Sequence, residues 1–381
     1  KFYDCNKYTR TPKKSKEGVI IYRTFMGGGA TVVATGSIVK SYEKEFKNMG
    51  IELSKEFEEA EKELNVKLST EKIQASGSRV IYEAALSLGY EMKAMPKVID
   101  QQKCIKCGLC TYGCKQGAKW TANEYLDKAI NLGAVINYDS KVEEVLSDQK
   151  QAYGVRGLKE KEKFEYEADN IILAAGGLGT PVILQNSKLE NEALGKNLFI
   201  DTFVNIYGIT DGVNQLSEPP MEFVDLEFHQ EKGFLLSTFI NRQKMIRFIE
   251  AGLKGMRLKE KNLIGIMVKI SDTPGGVVYP DGSVSKTVTE DDKIKLEQGI
   301  QKAEEILIKA GADKESILVT KPQGAHPGGT AAIGRVINKK LETELKNLYI
   351  CDASVFPTSP GMPPILTIVA LAKKLAKDLA A

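Results

Sequence analysis

The sequence predicts a mixed α/β chain of the α+β type, in which one discontinuous unit encloses an antiparallel-sheet unit. Three observations carry this reading. Residues 171–181 run Ile171-Ile172-Leu173-Ala174-Ala175-Gly176-Gly177-Leu178-Gly179-Thr180-Pro181. That is a short apolar strand, a glycine turn and a proline near a helix start, the way a strand delivers its C-terminal end to a ligand. Residues 201–285 hold long strand candidates at 203–209, 221–228, 233–240 and 262–270, with a hairpin signal at Asp281-Gly282. Beyond them, Thr289-x-x-Asp292 opens a strong helix over 290–310, and an amphipathic helix follows from 364 to 380. We therefore expect 1–200 and 286–381 to form one discontinuous domain, with 201–285 as a cap over a small-molecule site.

The remaining elements follow in order. Residues 17–36 read as a strand, the run Gly27-Gly28-Gly29, then small and β-branched residues. Such a run suits either a loop or a place where backbone closely approaches a ligand. Residues 40–66 are charged and helical, with Phe46, Met49, Ile51, Leu53 and Phe57 as the apolar positions. Helices are expected at 78–89 and 121–133, each ending at glycine. Strands are expected in AVINY (134–138), KVEEVL (141–146), QAYGVRG (151–157) and KFEYEA (163–168). Residues 345–357 read as a strand running into a loop.

Composition excludes several classes. Apolar residues make up 42% and charged residues 27%, the balance of a globular chain rather than a disordered one. Lys+Arg 53 against Asp+Glu 50 leaves +3 without a basic block, so the electrostatic footprint of a nucleic-acid binder is missing. No apolar run is long enough for a membrane-spanning helix.

Four of the six cysteines fall in one run, Cys104-x2-Cys107-x2-Cys110-x3-Cys114. This is ferredoxin-type spacing for iron–sulfur ligation, which favours a 4Fe-4S cluster over a 3Fe-4S cluster or zinc. The usual proline after the fourth cysteine is replaced by Lys115, and no second cysteine run is present. Because the fourth cysteine of such a run serves the other cluster in two-cluster ferredoxins, Cys351 or Cys5 is the alternative fourth ligand in place of Cys114. Clustered reduced thiols without a signal pattern point to the cytoplasm. The chain has two histidines. His229, in the strand-like EFHQE, reads as structural. His326 sits in the glycine-rich loop Gln323-Gly324-Ala325-His326-Pro327-Gly328-Gly329-Thr330, where an acid or base is useful.

Together these segments resemble the glucose–methanol–choline (GMC) flavin oxidoreductases. The C-terminal block carries most of the likeness: HPGGT, then LYICDASVFPTSPGMPPILTIVALA. GGGATVV is similar to the family's early flavin loop, and IILAAGGLGTPVILQNSKL to its mid-chain signature. CTYGCKQGAK is similar to the iron–sulfur-bearing branch. The resemblance implies FAD as cofactor, held by Gly28, Gly29, Thr31, Gly176, Thr180, Asp352, Ala353 and the segment Pro364 to Thr367. It implies that His326 faces both a substrate hydroxyl and flavin N5. It also implies an alcohol-type substrate, with electrons leaving through the cluster to a redox partner protein, as in a dehydrogenase rather than an oxidase. The alternative is an electron-transfer subunit without its own alcohol site. Two departures stand out. Pro363 occupies the place of the family's second polar active-site residue. The dinucleotide fingerprint G-x-G-x-x-G is absent, so a preceding segment or separate chain is expected to supply that βαβ unit.

Overall fold

A computed structural model describes residues 14–148 and 150–380. Its largest sheet is mostly antiparallel. In spatial order the strands are Ile20–Ile21, Gln323–Gly324, Phe203–Ile209, Leu263–Ile270, Phe234–Thr238, Phe223–Asp225 and Lys93–Ala94, with Leu318–Val319 also pairing against Phe203–Ile209. Ile20–Ile21 and Gln323–Gly324 run parallel, which carries the His326 loop out beside the first strand.

Alternation along Leu263–Ile270 explains the layering. Ile264, Ile266, Val268 and Ile270 join a core with Leu296, Ala303 and Ile306 of the helix Glu290–Lys309. Met267 points to the opposite face, where it packs with Phe203, Met221 and Phe239, and Lys269 shares its parity. The helix begins as the sequence predicts. The Thr289 side chain accepts from the Asp292 amide, and Asp292 caps the Thr289 amide in return. Although it lies beyond residue 286, this helix packs on the sheet.

A second core surrounds the parallel pair Ile171–Leu173 and Leu348–Ile350. Helices Gly176–Asn186 and Ile365–Ala380 follow these strands, and Ser54–Glu63 packs along the latter. The strands Ser140–Ser147, Ala152–Lys159 and Glu162–Glu167 form a meander.

Two expectations fail locally. Residues 134–138 form no strand; Val135 is 83% exposed and Tyr138 57%, and no described strand pairs with them. EFHQEK is the short helix Glu227–Lys232, not a strand. Gly233 ends it with φ +71, a left-handed C-cap that the alternation of EFHQE conceals. His229 Nε2 lies 2.7 Å from the Pro360 carbonyl, which fits a structural role.

Candidate active site

A cavity of about 480 Å³ lies between the second core and the sheet face that carries Phe203, Met221, Phe239 and Met267. One wall is the glycine loop, which curls into a 3-10 turn at Gly29–Val32 and presents Gly29, Ala30 and Thr31. Opposite stand Ala325, His326 and Pro327, with Phe203, Met267 and Lys269 from the sheet. Gly176, Asp352, Ala353, Pro363 and Pro364 complete the junction.

His326 is oriented by a residue the sequence reading did not single out. Its Nδ1 lies 2.8 Å from Oδ2 of Asp201, a fully buried carboxylate. The other oxygen of Asp201 accepts from Ser359 Oγ at 2.7 Å and from the Gly361 amide at 2.9 Å. A carboxylate only accepts, so the network assigns the proton to Nδ1 and leaves Nε2 as an acceptor. The His326 side chain keeps 23% exposure, and the ring forms part of the cavity wall. Burial holds its pKa below the usual histidine value, the nearby Lys269 charge pushes the same way, and the Asp201 hydrogen bond opposes both. The ring is therefore neutral near pH 7 and able to accept a proton.

Lys269 is buried, with its ammonium 4.9 Å from the Phe203 ring centroid. Desolvation lowers its pKa to about 8, while Asp201 and Asp272 draw it back up. Asp272 is itself engaged with Lys286 at 2.8 Å. Farther along, Glu250 accepts from Asn205 Nδ2 at 3.1 Å, Tyr207 Oη at 2.9 Å and Gln323 Nε2 at 3.2 Å, and also from Asn241. Burial pushes its carboxyl up to about 7 despite these donors.

The strand–turn–helix at 171–181 is fastened to the C-terminal block. Asp352 Oδ2 accepts from the Gly176 amide at 2.9 Å and from Thr180 Oγ1 at 2.6 Å, and Oδ1 takes the Ser354 amide at 2.7 Å. Gly177 lies against the histidine loop so closely that a Cβ there would stand 2.2 Å from the Pro327 carbonyl oxygen. Thr330 Oγ1 closes the contact by donating to the Gly177 carbonyl at 2.8 Å.

Of the residues proposed for the cofactor, Gly29, Thr31, Gly176, Asp352, Ala353 and Pro364 line the cavity together with His326. The other three stand behind the wall. Gly28 turns with φ +74 against Asn123, Thr180 braces Asp352, and Thr367 Oγ1 donates to the Ser41 carbonyl at 2.7 Å. The open space beside Gly29, the apolar walls and the backbone turn at Gly176 suit a flat heteroaromatic ring. Asp201, Lys269 and Glu250 were missed. The one available signal was a charge at an inward position of an otherwise apolar strand, as in Leu263–Ile270.

The cysteine loop lies beside the glycine loop, and Thr111 and Tyr112 reach the cavity. Lys106, Gly108 and Gly113 all take positive φ, which coils the loop tightly. Among the described residues, no group of three or more His, Cys, Asp or Glu side chains is placed to hold a metal ion, so the geometry lends no support to the expected iron–sulfur cluster or to a zinc site. Burial pushes the Cys110 thiol up to about 12, and Cys104 is raised for the same reason. Cys351 packs in the core beside Asp352, and Cys5 lies outside the described residues. Between the loops sits Lys119, whose ammonium donates to the carbonyls of Thr31, Val32, Ala34 and Cys110 at 2.6–3.1 Å. No described helix is long and apolar enough to cross a membrane.

Profiles of the GMC oxidoreductase family match residues 16–203 and 278–372. An uncharacterized protein of Methanocaldococcus jannaschii is 35% identical, over 97% of this chain and 91% of its own length. A long-chain-alcohol oxidase of Arabidopsis thaliana is 25% identical over 82% of this chain, which spans 50% of that protein. An uncharacterized GMC-type oxidoreductase of Mycobacterium tuberculosis is 25% identical over 93% of the chain and 64% of itself. Among solved structures, pyridoxine 4-oxidase from Mesorbium loti superposes with a TM-score of 0.71 at 14% identity, covering 94% of this chain and 84% of that one. Formate oxidase from Aspergillus oryzae gives 0.67 at 14% identity, covering 93% and 84%. Matched across both halves around a shared cavity, the chain belongs to the GMC family of flavin oxidoreductases.

Proposed function

We propose that the chain oxidises an alcohol or hydroxy-carbon substrate, with His326 as the group that takes the hydroxyl proton. The observation carrying this is the His326–Asp201 pair, which leaves an unprotonated, neutral Nε2 at the wall of a cavity shared with the glycine loop. Bound FAD would supply the hydride acceptor. The chain's residues do the rest. Asp201 holds the imidazole tautomer, and Lys269 sets a positive charge where oxygen becomes anionic, a role that Pro363 cannot fill.

We further propose an iron–sulfur cluster on Cys104, Cys107, Cys110 and Cys114, which would supply a one-electron outlet and favour dehydrogenase over oxidase behaviour. The spacing supports this, as does Lys119, a buried ammonium that donates to the Cys110 carbonyl and so sets a positive charge beside the thiols.

The test is anaerobic reduction of the protein-bound flavin by primary alcohols of increasing length, with iron and sulfide quantified. His326→Ala is expected to slow bleaching about 10²–10⁴-fold. Bleaching at the wild-type rate removes His326 from the reaction. Bleaching by reduced protein partners alone favours the electron-transfer subunit. Iron and sulfide at background levels exclude the cluster.

A further inference from the structure

The segment after Phe239 carries an apolar face turned outward. The helix Lys244–Arg257 is broken at Ala251–Gly252, where Gly252 takes φ 63 and ψ −148, so it forms two short helical pieces. Buried Arg247 and Glu250 anchor it, and Ile246 and Glu250 line the cavity. The opposite side exposes Met245 at 66%, Phe248 at 41%, Leu253 at 56% and Met256 at 43%. In each piece the two apolar residues stand three apart, on one side of the helix.

Charge is concentrated around this face. Lys244, Lys254, Arg257, Lys259 and Lys261 are exposed, and none forms an ion pair among the described residues. The one exposed acid in the stretch, Glu260, is 3.4 Å from the Arg247 guanidinium. The whole chain carries only +3, so this stretch departs sharply from the average surface. Four exposed apolar side chains, interleaved along the segment with five exposed cations, fit a surface that is oily below and anionic above. A protein partner would need to be both apolar and acidic at the same spacing.

We propose that the segment 244–261 docks the protein on an anionic phospholipid surface, with Met245, Phe248, Leu253 and Met256 entering the headgroup layer. Attachment is peripheral and reversible, because each helical piece is too short to span. The lipid-facing helix is also a cavity wall. If the oxidoreductase reading above holds, an apolar alcohol in the same leaflet has one helix to pass, about 10 Å. The docking itself does not depend on that reading.

The experiment is co-sedimentation of the full chain with vesicles of phosphatidylcholine alone or with about one third phosphatidylglycerol. Partitioning is expected to be about tenfold or more stronger on the anionic vesicles, and to weaken with salt. M245S/F248S and K254E/R257E should each lower it about tenfold or more, with thermal unfolding unchanged. Leu132→Ser, in the other exposed apolar patch, should bind as wild type. Equal failure to bind both vesicles, variants that bind as wild type, or loss of binding in Leu132→Ser instead would overturn the proposal. So would sedimentation showing a dimer that M245S/F248S dissociates, because a second copy would then occupy the face.

Discussion

Replacing Asp201 with asparagine changes one atom at the most constrained point of the site. Asp201 is fully buried with φ 50, a left-handed conformation that asparagine adopts readily, so the backbone gains no strain. The amide oxygen can still accept from Ser359 and Gly361, at 2.7 and 2.9 Å in the parent. The amide nitrogen then replaces the oxygen 2.8 Å from His326 Nδ1. Two donors cannot face each other, so the ring must release the Nδ1 proton and carry it on Nε2, toward the cavity. A protonated Nε2 cannot take a hydroxyl proton. We expect flavin reduction by alcohol to fall about 10²–10⁴-fold, about 3–5 kcal/mol in barrier, with unfolding free energy changed by about 1 kcal/mol. Stopped-flow bleaching under anaerobic conditions reads the rate, and ¹⁵N histidine NMR reads the tautomer. A flipped tautomer with an unchanged rate would refute the reasoning. Asp201→Ala is the contrasting variant. It strands all three donors and should destabilise the fold by about 1–3 kcal/mol or more.

Three further outcomes follow. Lys269→Met removes a charge that depresses His326, so its pKa moves back up toward the ordinary value and the acid limb of kcat/KM shifts to higher pH; a limb that stays put or moves lower contradicts the assignment. Glu250, raised from 4.5 to about 7, binds its proton more tightly folded than unfolded, so stability should fall as pH rises from about 4.5 to 7, by about 3 kcal/mol, and Glu250→Gln should flatten that slope in urea titrations. Gly177→Ala would push a methyl against the Pro327 carbonyl, 2.2 Å from the ideal Cβ, and should lower stability by about 1–3 kcal/mol in thermal unfolding, while a neutral result would mean the two loops separate easily.

Much of the sheet was legible because its long strands are apolar runs buried on both faces. The strand Phe203–Ile209 and the helix opened by Thr289 lie where the pattern puts them. AVINY failed because alternation reports what a segment can pair with, not whether a partner lies alongside. The site divides the same way. His326, Gly176 and Asp352 sit in local signatures with unusual glycine content. Asp201 is 125 residues from the histidine it orients, and no local pattern marks it. Lys269 carried a faint mark, a lone charge in the apolar run LIGIMVKI, whereas Glu250 becomes notable only when burial is known.

Lys119 makes the two loops one mechanical object. Its single ammonium clasps three carbonyls on the ring side and one on the thiol side. Any swelling, oxidation or chelation at the sulfurs must therefore tug the glycine turn, so damage to the cysteine segment should register as a loosened pocket even when every residue lining that pocket is intact.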